Sequence, residues 1–144
     1  MLKFEDFKFE VLDIPARGTP DLFLNQMGVS FTKKVIEDMG YPRFVRPLLD
    51  TNKKAFAIQI CKEGEERAMR FSKPKGEQKH GINTNSKVLF EAIRHILGES
   101  WHKGMRYRIP GIYFPEAKAM VFDVTTAVEL PPIRVANQNK ECQS

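Results

Sequence analysis

The amino-acid sequence predicts a β-rich α+β domain, a small barrel or sandwich built from two pseudo-repeated strand–helix–hairpin units. Three observations carry this. Short extended apolar stretches alternate with turn residues along the chain. One segment, Ser86 to Leu97, has clear helical periodicity. Residues 29–61 and 82–124 read as one unit written twice.

Taken in order, Leu2, Phe4, Phe7, Phe9 and Val11 alternate with charged residues, and the alternation slips once at Glu5-Asp6. That pattern predicts a bulged strand or two short strands. Asp13 to Gly28 holds Pro15, Gly18, Pro20 and Gly28 and reads as a loop, with one turn near Leu22–Leu24. Residues 1–28 thus form an N-terminal strand and loop laid on the main domain. Val29-Ser-Phe31 is a short strand, and Thr32 caps a short helix with Val35, Ile36 and Met39 on one face and Gly40 closing it. Phe44–Leu49 and Ala55–Cys61 form a hairpin across the turn residues Asp50-Thr-Asn-Lys-Lys54. Ala68–Phe71 is another short strand, which ends the first unit, 29–71.

Residues 72–81, Ser-Lys-Pro-Lys-Gly-Glu-Gln-Lys-His-Gly, contain no apolar side chain and read as a flexible linker. The second unit, 82–130, opens at Ile82. Its helix places Val88, Leu89, Ala92, Ile93, Ile96 and Leu97 on one face, with Thr84 or Asn85 as cap and Gly98 as stop. Arg106–Tyr113 and Ala117–Val124 form a second hairpin. Leu130-Pro-Pro132 breaks the structure, and the polar tail within 131–144 is expected to be disordered. The core is expected to include Val35, Ile36, Ala57, Val88, Ile93, Leu97 and Val121.

The repeat rests on particular residues. Val29, Lys34, Val35 and Ile36 fall on Ile82, Lys87, Val88 and Leu89. Phe44-Val-Arg-Pro47 falls on Tyr107-Arg-Ile-Pro110, and Lys54-Ala-Phe-Ala-Ile58 on Lys118-Ala-Met-Val-Phe122. Neither half has enough apolar side chains for its own core, so the two are expected to pair about a pseudo-twofold axis.

Val29-Ser-Phe-Thr-Lys-Lys-Val-Ile-Glu-Asp-Met-Gly40, followed by Phe44–Asp50 and Lys53–Ile60, resembles the AbrB-like (SpoVT/AbrB) swapped-hairpin DNA-binding family. The resemblance covers about 29–61 well and 82–124 loosely. The family's usual Pro after the Thr-containing strand and its Gly-Asp pair before the hairpin are absent. It implies interlocked hairpins and a non-enzymatic, DNA-binding, regulatory role. The chain as a whole is also similar to uncharacterised phage and mobile-element proteins.

Composition bounds the function. Of 144 residues, 42% are hydrophobic and 28% charged, a globular composition with a real core. No apolar run approaches the roughly 18 residues of a membrane span, and the start of the chain has no secretory pattern. A cytoplasmic protein without a membrane partner is expected. Cys61 and Cys142 are too few for a disulfide framework and read as reduced thiols. The net charge is +5, and the excess lies in residues 29–98. Such a balance fits duplex DNA as partner or a merely solvated surface; a homodimer is left open.

Candidate phosphate contacts are Lys33, Lys34 and Lys87 at the helix starts, where cations oppose the helix dipole but free backbone N–H groups attract phosphate. Arg43 and Arg46 flank Phe44, and Arg106 and Arg108 flank Tyr107; alternation puts Arg106 and Arg108 on one strand face. Exposed basic side chains with solvated heads are the bland reading of all seven. His80, His95 and His102 are not at metal-ligand spacing, so no metal or cofactor is expected. Glu63, Glu65 and Glu66 read as a solvated turn rather than a catalytic carboxylate pair. No nucleophile or phosphate-loop motif occurs. DNA binding therefore leads; a protein-interaction or structural module with an exposed strand edge is the alternative, and an enzyme ranks third.

Overall fold

The computed structural model describes residues 3–8, 10 and 18–132. In chain order these form β1 (Asp21–Asn25), β2 (Gly28–Phe31), α1 (Lys33–Asp38), β3 (Phe44–Asp50), β4 (Ala55–Cys61), β5 (Met69–Arg70), β6 (Ile82–Thr84), α2 (Lys87–Leu97), β7 (Arg106–Phe114), β8 (Ala119–Asp123) and β9 (Val128–Leu130). The strands make one antiparallel sheet, ordered β5-β3-β4-β8-β7-β1-β2-β6, with β9 also on β7. The sheet curls into a half-barrel, and α2 is the main helix.

Strand β7 joins the two ends of the sheet. Tyr107 to Pro110 pair with β1, whereas Gly111 to Phe114 pair with β8. The change of partner falls at Gly111. A Cβ there would lie 2.7 Å from the Phe122 ring and 2.9 Å from the Met120 sulfur, so the glycine leaves room for these two core side chains.

Alternation along the strands sends one set of side chains inward. Leu22, Leu24, Val29, Phe31, Val45, Phe56, Ile58, Ile109, Met120 and Phe122 are buried, together with Leu89, Ile93, Ile96 and Leu97 of α2. Phe31 meets Phe71 edge-on at 5.4 Å and Phe122 at 5.8 Å, an aromatic cluster at the centre of the core.

The two hairpins stand where the turn residues put them. Both have four-residue loops ending in a lysine with positive φ, 56° at Lys54 and 53° at Lys118. The Ile60 N–H donates to the Lys118 carbonyl at 2.8 Å, and the Val124 N–H donates to the Lys54 carbonyl at 3.0 Å. The β4–β8 ladder runs from Ala55–Asp123 through Ala57–Val121 to Gln59–Ala119. The β2–β6 ladder pairs Val29 with Thr84, Ser30 with Asn83 and Phe31 with Ile82.

Several expectations are corrected. Phe4–Asp6 is a 3-10 turn, not a strand; residues 1, 2, 9, 11–17 and 133–144 lie outside the described set. The segment read as a turn near Leu22–Leu24 is β1, because β2 and β7 pair with both its edges and Leu22 and Leu24 fill the core. Val88 is 77% exposed, since the buried stripe of α2 runs through Leu89, Ile93 and Ile96 and leaves Val88 outside it. Ala57 and Val121 are only half-buried, because they point to the outer face of the sheet. Ser86 caps α2, accepting from the Leu89 N–H, while the Thr84 hydroxyl accepts from the Ser86 N–H. Thr32 does sit at the start of α1, but its hydroxyl donates to the Thr19 carbonyl and accepts from the Asp21 N–H instead of capping. Segment 72–81 opens on buried Ser72, whose hydroxyl donates to the Pro42 carbonyl, and Gln78 accepts from the Lys73 N–H.

Candidate nucleic-acid interface

The outward side chains of β1, β2, β6 and β7 form a polar, basic face opposite the core. The register aligns Asn83, Ser30, Phe23 and Arg108 in one row, which continues to Val128 on β9. One alternation step along, Asn25 pairs with Gly28 and Arg106 with Leu130, while Asn85 follows the end of β6. Inward neighbours on the same strands are Leu22, Leu24, Val29, Tyr107 and Ile109, all buried. The face thus gathers two guanidiniums, three carboxamides, a hydroxyl and one aromatic ring, with no carboxylate in either row.

Its surface is grooved. A depression of about 440 Å³ is lined by Asn25, Met27, Gly28, Ser30, Asn83 and Asn85. Gly28 is required there: its φ is +134°, and a Cβ would lie 2.2 Å from the Thr84 carbonyl. The missing side chain keeps the groove open and lets β6 approach. A neighbouring hollow of about 410 Å³ is lined by Met27, Met105 and Arg106, among others.

The two arginines are held differently. The Arg106 guanidinium lies 5.7 Å from the Phe23 ring centroid, and its Nε donates to the Pro131 carbonyl at 3.2 Å. Arg108 is 41% exposed at its side chain and sits 3.9 Å from Asp21 Oδ2, too far for a strong bond. Asp21 is buried; the Thr19 hydroxyl donates to its Oδ2, and its Oδ1 has no partner among the described residues.

The other five candidates lie elsewhere. Lys34 is bonded to Glu37 at 3.2 Å and Asp38 at 3.1 Å, and these acids, Asp38 first, raise its pKa. Lys33 is half-buried beside it on α1, and Lys87 is exposed at the start of α2. Arg43 lies 5.9 Å from the Phe44 ring. Arg46 gives Nε and Nη2 to Gln59 Oε1 at 2.9 and 2.7 Å, on the outer side of β3, with β4 and β8 between it and β7. Of the seven candidates the sheet brings only Arg106 and Arg108 to one face, beside Phe23, Asn25, Ser30, Asn83 and Asn85, which the sequence does not single out. The signal available was the Asp-Leu-Phe-Leu-Asn alternation of residues 21–25, followed by a two-residue turn and glycine.

A second cluster closes on itself. Glu129 Oε1 accepts from the Tyr107 hydroxyl at 3.0 Å and lies 2.6 Å from His102 Nδ1, while the His102 N–H donates to Tyr107 Oη. The His102 hydrogen bond holds the Glu129 carboxyl below the usual range, and burial pushes the Tyr107 hydroxyl up. This clip ties β9 to the segment after α2, beside a cavity of about 260 Å³ lined in part by Lys54, Ser100 and Thr125. Glu63, Glu65 and Glu66 are exposed, and Glu65 accepts from the Lys62 N–H across their turn. Burial raises the Cys61 pKa, which keeps it a thiol at neutral pH. Among the described residues no group of three His, Cys, Asp or Glu side chains is placed to hold a metal ion, and no helix is long and apolar enough to cross a membrane. No family model, curated protein or solved structure matches the chain.

Proposed function

We propose that the chain is a non-enzymatic protein that binds duplex DNA through the outward face of β6, β2, β1 and β7, and that its two halves are a pseudo-dimer of AbrB-like units in one polypeptide. The carboxylate-free rows of Arg106, Arg108, Asn25, Asn83, Asn85 and Phe23 carry the binding reading. Guanidiniums bond phosphates at any sequence and pair bidentately with guanine, while carboxamides do the same with adenine. A cytoplasmic, regulatory role goes with this reading.

Pseudo-dimer architecture is supported by the ladders. Exchanging the halves as the sequence aligns them carries Val29 onto Ile82 and Phe31 onto Thr84. Since Val29 pairs with Thr84 and Phe31 with Ile82, the β2–β6 ladder maps onto itself about Ser30–Asn83. Carrying Lys54 onto Lys118 maps the β4–β8 ladder onto itself about Ala57–Val121, and it exchanges the two bonds Ile60–Lys118 and Val124–Lys54. Both units also run strand, helix, strand, strand. A twofold relation produces such reciprocity automatically.

The test is fluorescence anisotropy of several unrelated duplexes from about 50 to 200 mM salt, the range over which phosphate-driven binding loses most of its affinity. Binding that weakens steeply with salt is expected. No binding at the lowest salt overturns the DNA reading and leaves a protein-interaction module.

A further inference from the structure

We propose a second binding surface: the outward face of β3, β4, β8 and β7 joins two copies of this chain. The register places Leu48 opposite Ala57, Ala57 opposite Val121, and Val121 opposite Ile112, an apolar row across four strands. This is the side away from the core, yet Leu48 is 40% exposed, Ile112 61% and nearby Phe114 39%. Surface strands ordinarily carry polar residues on that side.

Charge identifies the occupant as a second copy. Arg46 and Asp50 flank Leu48 on β3, two residues to either side, and both point outward. A twofold axis parallel to the apolar row and midway between the two outward faces sets each row residue against itself and reverses the strand direction. Arg46 of one copy then faces Asp50 of the other, twice per interface. Among the described residues, both groups retain free bonding capacity for this. Arg46 commits Nε and Nη2 to Gln59 and keeps Nη1. Asp50 uses Oδ1 for the Lys53 N–H and keeps Oδ2. Asp123, on the same side of the row, is already turned to Thr125. The small side chain of Ala57 lets Leu48 and Ile112 interdigitate with their copies at ordinary sheet-packing distance, about 10 Å. The face is self-complementary, as an isologous interface requires.

Sedimentation equilibrium on the full chain from about 1 to 100 μM, concentrations at which an interface of standard size is populated, tests this. A dimer is expected. Ile112→Asp, at an exposed position, is expected to give a folded monomer whose melting temperature, unlike the wild type's, does not rise with protein concentration. Arg46→Asp and Asp50→Arg are each expected to weaken dimerisation about tenfold or more by opposing like charges, and the double variant to recover it. Arg106→Ala, on the same outward side but at the opposite end of β7 from Ile112, leaves the dimer intact. A wild-type chain that stays monomeric throughout, an Ile112→Asp chain that dimerises as tightly, or a double variant no tighter than the singles would overturn the proposal.

Discussion

Single residues set local limits that measurement can reach. Gly28 combines a positive φ with a carbonyl 2.2 Å from any added Cβ. Gly28→Ala is expected to destabilise the fold by about 2 kcal/mol or more, from strain and displacement of β6, and urea unfolding checks it. Glu129 gives a pH dependence with a definite sign. Its folded pKa is lowered, chiefly by His102 and then by Tyr107. Its contribution to stability is therefore fully present above the ordinary carboxylate pKa and is lost as pH falls through the lowered folded value. Urea midpoints across the acid range should drop in the wild type more than in Glu129→Gln; parallel curves would show that the clip contributes nothing.

At the level of elements, legibility followed how local the cause was. The hairpins β3–β4 and β7–β8 could be read because their turns are written in the sequence as Asp50-Thr-Asn-Lys-Lys54 and Phe114-Pro-Glu-Ala-Lys118. Helix α2 could be read from its period, but the width of its buried stripe could not. Val88 looked apolar and in phase, yet it faces solvent. Strand β1 was hidden between Pro20 and Gly28, since it is held by pairing with distant β7 rather than by local propensity. These assignments separate two substitutions on one helix. Ile93→Ala should cost about 2–5 kcal/mol by leaving a cavity. Val88→Ala should stay within about 0.5 kcal/mol, as surface changes do. Equal thermal shifts for the two would mean that the helix is turned about its axis.

For the whole molecule, the β-rich α+β class was visible in the sequence, whereas the polar face was not. That face is assembled from residues 23–30, 83–85 and 106–108, which come together only through the sheet order β7-β1-β2-β6. Charge counting points to residues 29–98, where ion pairing occupies Lys34, whereas Arg106 and Arg108 lie outside that stretch. Lys34→Ala should accordingly alter DNA affinity little, because its charge is already offset by Glu37 and Asp38; a large loss would place α1 at the interface instead.

The most direct measurement is the salt dependence of DNA affinity for the wild type and for the double variant Arg106→Ala/Arg108→Ala. Each phosphate neutralised contributes about −0.9 to the slope of log affinity against log salt. The double variant should bind all duplexes more weakly, with a slope shallower by about two where both arginines meet phosphates. If one of them reads a base, the slope changes by about one and discrimination at one position falls by about 1–3 kcal/mol. A double variant with wild-type affinity, slope and sequence preference would contradict the assignment of this face to nucleic acid.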